Sequence, residues 1–161
     1  MSSAKEARVS EISEAERRQV SAARRKSRHY AVQALYQWAI SGTDLSAIEQ
    51  QFREDFDFRG TDLEYFQALL HGVPMQVSDL EELFSPYLDI PLDKLGPVER
   101  AVLRIATFEL SERVDVPFRV VLNEAIALTK KFGAAESHRF VNGVLDKVAR
   151  ELREAEVDRP R

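Results

Sequence analysis

Pro97-Val98-Glu99-Arg100-Ala101-Val102-Leu103-Arg104-Ile105-Ala106-Thr107-Phe108-Glu109-Leu110-Ser111-Glu112-Arg113 reads as one helix that is apolar around most of its circumference. Proline opens it at the position where a missing amide hydrogen costs nothing. Only a strip of Arg100, Arg104, Thr107 and Ser111, with Glu99 beside it, stays polar. A helix apolar on nearly every side must be enclosed by other elements, so this stretch predicts the centre of an all-α domain.

The flanking sequence supplies the enclosing elements. Apolar residues recur at spacings of three and four throughout, with no sustained alternation of period two. An early helix carries Val32, Leu35, Tyr36 and Ala39 on one stripe, with Trp38 at its edge and His29, Gln33 and Gln37 outward. Ser41-Gly42-Thr43-Asp44 breaks that pattern and offers a cap for a short helix through Leu45, Ile48 and Phe52. Thr61-Asp62-Leu63-Glu64 fits a capping box opening a third helix, which Pro74 either kinks or splits. After Val116-Pro117, Phe118 to Phe132 repeats the helical stripe and stops at Gly133, which suits a left-handed cap. A last helix from about Glu136 to Arg150 turns Val141, Val144, Leu145 and Val148 inward.

Residues 1–22 mix Ser, Ala, Glu and Arg with few large apolar groups and predict a flexible extension. Residues 151–161 predict a disordered tail, which leaves 23–150 as the helical domain. Over 161 residues the formal net charge is −4, and 44% are hydrophobic, enough for one core. A chain this acidic does not coat nucleic acid wholesale, so contact with a polyanion must be local. With no cysteine, no apolar run of membrane length and no secretory leader expected, a cytoplasmic protein is the default.

No enzyme signature emerges. His29, His71 and His138 lie in three separate segments with no cysteine beside them, so neither a metal site nor a catalytic residue is assigned, and no cofactor is expected. Glycine-rich phosphate loops and nucleophile elbows are absent from the sequence. What stands out is a basic run, Arg24, Arg25, Lys26 and Arg28, leading into the first apolar stripe. A second basic and aromatic group comprises Lys130, Lys131, Phe132, Arg139, Phe140 and Lys147. Cations that track phosphates beside rings that stack on unpaired bases are how single-stranded RNA is held. Phe132 and Phe140 fit core packing as well, and Arg24 to Arg28 fit a solubilising flank.

Several motifs in order resemble the NusB family of transcription antitermination factors. They are Ala31-Val32-Gln33-Ala34-Leu35-Tyr36, Val98 to Ala106, Val116-Pro117 with Asn123-Glu124-Ala125-Ile126, Lys131-Phe132-Gly133-Ala134, and Phe140-Val141-Asn142-Gly143-Val144-Leu145-Asp146. The resemblance spans about Arg24 to Arg150. It implies about seven helices in two subdomains and no catalytic activity. It also implies binding, together with the small-subunit ribosomal protein NusE, to the single-stranded boxA element of nascent ribosomal RNA, so that RNA polymerase reads through terminators. The family's RNA contacts would fall on Arg24, Arg25, Lys26, Arg28, Lys131, Phe132, Arg139, Phe140, Asn142 and Lys147. Its NusE surface would fall on Tyr36, Glu99, Arg100 and Arg104. Two other readings are an RNA-binding part of a methyltransferase, for which no methyl-donor segment is expected here, and a purely structural adaptor. Self-association into a homodimer is compatible with the family reading.

Overall fold

The structure, a computed structural model, describes residues 2–159, with side chains from residue 13 onward. Among the described residues eight α-helices follow one another: α1 Ser2–Ser41, α2 Leu45–Asp55, α3 Leu63–Met75, α4 Val77–Phe84, α5 Pro97–Glu112, α6 Phe118–Phe132, α7 Ser137–Leu152 and α8 Glu154–Val157. Two single 3₁₀ turns, Ser85–Tyr87 and Leu92–Lys94, join α4 to α5. No strand occurs among the described residues.

The central position read for α5 is what the structure has. Every residue from Ala101 to Leu110 is buried, and α5 packs against α1, α3, α4, α6 and α7. Helices α1, α2 and α3 gather on one side of it, and α4, α6 and α7 on the other, giving two helical subdomains that share α5. A chain of rings closes the first subdomain. Tyr30 stacks on Phe58 at 4.8 Å, Phe52 lies 4.9 Å from Phe56, and Phe58 meets Phe66 edge-on at 5.0 Å. Asp44 caps α2, its carboxylate accepting from the amides of Ser46 and Ala47.

Several local expectations are corrected. The capping residue of α3 is Asp62, which accepts from the Tyr65 amide, while the Thr61 hydroxyl donates backwards to the Phe58 carbonyl. Pro74 splits the helix: α3 ends one residue later, and α4 starts after Gln76. Gly133 is not left-handed but extended, with φ −93° and ψ −179°. Its lack of a side chain serves a close approach, since a β-carbon there would stand 2.7 Å from Glu99 Oε2 and 2.8 Å from the Thr129 carbonyl. The left-handed residue of that turn is Glu136, at φ 68°.

Both ends are more ordered than composition suggests. The segment expected to be flexible, 1–22, is helical from Ser2 and continues without a break into α1. Its Ala, Glu, Lys and Arg content favours helix even where no core is available. The tail expected to be disordered is anchored at Arg153, which is buried and donates to the carbonyls of Glu109, Leu110, Arg113 and Val116. One of these, the Leu110 carbonyl, lies in the last turn of α5, where helix carbonyls lack intrahelical partners. The Arg153 guanidinium also meets Glu156 at 2.7 Å, and Glu156 accepts from the amide of Phe118 at the start of α6.

Candidate nucleic-acid interface

Because the basic run lies within α1, successive residues point about 100° apart, and four cations within five positions cannot form one patch. Arg24 is half-buried: Nη1 donates to Asp115 Oδ2 at 3.1 Å, and its guanidinium lies 4.6 Å from the centre of the Tyr65 ring. Arg25 stands on the open side, 58% exposed, with Nε 3.0 Å from Glu124 Oε1. Lys26 points elsewhere and donates to the Arg59 carbonyl at 2.7 Å.

Arg28 departs from the expectation altogether. It is buried with Glu109, and its Nη2 lies 2.8 Å from Oε2. The Tyr65 hydroxyl donates to the same carboxylate. Burial alone would disfavour the guanidinium's charge, but Glu109 more than offsets this and raises its pKa. Burial, and then the Glu109 carboxylate, raise the Tyr65 hydroxyl's pKa as well. Arg28 therefore ties α1 to α5 and does not belong to an RNA-facing surface.

The residue that joins the two basic groups is His29, one turn after Arg25. Its Nδ1 lies 3.3 Å from Lys131 Nζ, an ammonium donating to a neutral imidazole. Its ring meets Phe132 edge-on at 5.7 Å. Lys131 Nζ is also 5.5 Å from the centre of the Phe132 ring. Partial burial lowers the His29 pKa, and the cations of Lys131 and Arg25 lower it further against the pull of Glu124. Arg25, His29, Lys131 and Phe132 thus form one cationic and aromatic surface across α1 and the end of α6. Phe132 and Phe140 are each half-buried, so packing claims part of each ring and leaves part at the surface.

Beyond the Gly133–Glu136 turn, α7 carries the remaining candidates. Arg139 is 79% exposed and lies 3.1 Å from Glu136. Asn142 and Lys147 are exposed, and helical spacing puts Lys147 on the same side of α7 as Phe140.

The residues expected to face a protein partner divide. Tyr36 is 40% exposed. It lines an open groove of about 610 Å³ with Val32, Phe52, Phe56, Val98 and Phe132. Glu99 is corrected: it is buried, and its Oε2 accepts from the Ala134 amide at 3.2 Å and the Ser137 hydroxyl at 3.3 Å. It holds the α6–α7 turn to the start of α5. Arg100 lies 2.8 Å from Glu81 and is partly open. Arg104 is corrected as well: it is buried, reaching the same carboxylate at 3.3 Å and lying 5.9 Å from the Trp38 ring. Among the described residues no cluster of histidine and carboxylate groups could hold a metal ion.

The NusB family model matches residues 25–150, from Arg25 on α1 to the last turns of α7. The chain belongs to the NusB family. The transcription antitermination protein NusB of Alcanivorax borkumensis is 55% identical over 141 residues, covering 86% of this chain and 94% of that protein. The NusB protein of Saccharophagus degradans is 54% identical, covering 85% and 92% respectively. The solved structure of T. maritima NusB superposes with a TM-score of 0.70 at 32% identity, over 84% of this chain and 97% of that one.

Within the NusB match lie all the candidate contacts except Arg24, and outside it lie the first turns of α1 and all of α8. Sequence reasoning placed His29 merely outward and missed its role as the bridge. The available signal was its spacing of four from Arg25, which puts both on one helical face.

Proposed function

We propose that this protein is a transcription antitermination factor that binds the single-stranded boxA element of nascent ribosomal RNA jointly with NusE. It would act in the cytoplasm within the RNA polymerase antitermination complex. The observation that carries this reading is the cluster of Arg25, His29, Lys131 and Phe132, which sets cations beside the open part of an aromatic ring. In it, Arg25 and Lys131 meet phosphates, and Phe132 offers a stacking platform worth about 1–3 kcal/mol per base. Arg139, Asn142 and Lys147, with the open part of Phe140, continue the contact along α7. Arg28 and Glu99 support the fold, and Arg24 and Lys26 flank the contact.

The need for a partner follows from charge. The chain carries a formal net −4, and Arg25 and Arg139 each have a carboxylate beside them, so the RNA face is weakly cationic. A second protein sharing the RNA raises affinity without a large basic surface. The groove beside Tyr36 and the open part of Arg100 are the partner contacts in this reading. Binding of fluorescent boxA RNA, with and without NusE, tests it. Tight NusE-enhanced binding that an R25A/K131A variant loses is expected, and absence of binding in both conditions would overturn it.

A further inference from the structure

The part of α1 that precedes the family match is neither a loose appendage nor uniformly charged. The helix runs unbroken from Ser2 to Ser41, so its face at Arg25 continues in a fixed direction toward the N-terminus. At 3.6 residues per turn, Arg18, Arg25 and His29 fall within about 40° of one another, with Arg18 about 10 Å further along the axis than Arg25. Ser21 and Ala22, both small and exposed, lie between the two arginines and leave the flank open. Arg17 takes the other direction. With Val20 and Arg24 it lines a groove whose far wall is Val116, Pro117 and Val120, in and after the α5–α6 connection. The groove marks the side of α1 that faces the domain, and Arg18 is exposed on the neighbouring face. Glu14, one turn before Arg18 and also exposed, ends the cationic strip.

We infer that the RNA-binding strip continues past the family match along α1, with Arg18 as an outer contact for the phosphate of a nucleotide flanking the boxA element. The inference rests on the RNA reading above. Its support is continuity with the Arg25–His29–Lys131 surface and charge: the strip is cationic as far as Arg18 and turns anionic at Glu14. Arg18 supplies position and charge but no base readout, so the flanking nucleotide's identity should not matter.

The test compares boxA RNA with the same RNA lengthened by a few nucleotides at one end or the other, using fluorescence anisotropy with NusE present. Wild-type protein should bind one lengthened RNA roughly threefold or more tighter than the short one. In R18A that ratio should fall to about one, and R18K should restore it. On the lengthened RNA, R18A should also lower the salt slope by about 0.7, the loss of one single-strand phosphate contact. If wild type binds the short RNA, R25A weakens that binding, and lengthening at either end gives no gain or a gain that R18A keeps, then the strip ends at Arg25. In that case the RNA reading stands without the extension. If wild type binds neither RNA, both fall together.

Discussion

Arg28 and Glu109 form an ion pair in the core, each 2% exposed, with both Nε and Nη2 of the arginine held by the carboxylate. Removing one partner strands the other charge where water cannot reach it. R28A is therefore expected to lose about 3–5 kcal/mol of unfolding free energy. Replacing both residues by apolar ones of similar volume, R28M with E109L, should cost less than either single change, although the Tyr65 hydroxyl would then lose its acceptor. Urea denaturation of wild type, R28M, E109L and R28M/E109L closes the cycle. A fully additive double variant would contradict the pairing.

Two glycines, one at the end of α6 and one inside α7, should respond oppositely to alanine. At Gly133 the new β-carbon would press on Glu99 Oε2 and on the Thr129 carbonyl, and the second is backbone that cannot swing away. G133A should destabilise by about 1–3 kcal/mol. At Gly143, inside α7, nothing lies within 4 Å of the added carbon. G143A should stabilise by about 0.5–1 kcal/mol through helix propensity. Thermal melts of both proteins decide the pair, and equal shifts of either sign would refute this account of Gly133.

Arg153 makes the C-terminal segment part of the fold. Its guanidinium serves four carbonyls and one carboxylate at the junction of α5, α6 and α8. Hydrogen bonds to a charged group contribute about 1.5–3 kcal/mol each before losses from reorganisation. R153A, or truncation after Arg150, should therefore destabilise by about 2–4 kcal/mol, read by denaturant midpoint. R153K should recover only part of the loss, because an ammonium lacks the planar fork. A truncated chain as stable as the full one would show the anchor to be idle.

The helices and their inward faces were legible because apolar spacing is a local property. Every apolar residue of α5 from Ala101 to Leu110 is buried, and the cap of α2 comes from the Ser41–Asp44 break, at Asp44. At the candidate site the misreadings concern charged residues. Arg28, Glu99 and Arg153 look exposed in a one-dimensional reading, since the carboxylate, amide and carbonyls that accept or donate to them lie 35 to 81 positions away in the chain. The basic run was misjudged for a related reason. Read as an extended arm, Arg24 to Arg28 form one patch, but as a helix they point in separate directions, and only Arg25 joins Lys131. Gly133 shows that a glycine near a helix end can answer a packing need and not a dihedral one.

His29 gives the interface a pH signature. Its pKa in the folded protein is lowered, chiefly by partial burial and then by Lys131, relative to the roughly 6.5 of an unfolded chain. Between those two values the unfolded state binds more protons than the folded one, so stability rises with pH across that window and falls as pH drops below about 6.5. Asp115 titrates well below that window, held at about 2 by its bonds to Arg113 and Arg24 against slight burial. The loss between pH 7.5 and 5.5 should therefore be smaller in H29Q than in wild type, measured by urea denaturation across that range. RNA bound at this surface would act in the opposite sense. Phosphate near Lys131 relieves the repulsion that adds to burial in lowering the His29 pKa, so that pKa should rise on binding and affinity should grow as pH falls toward 6. Proton NMR of the histidine ring, with and without boxA RNA and NusE, reads both effects. An unshifted His29 on RNA binding would remove it from the interface.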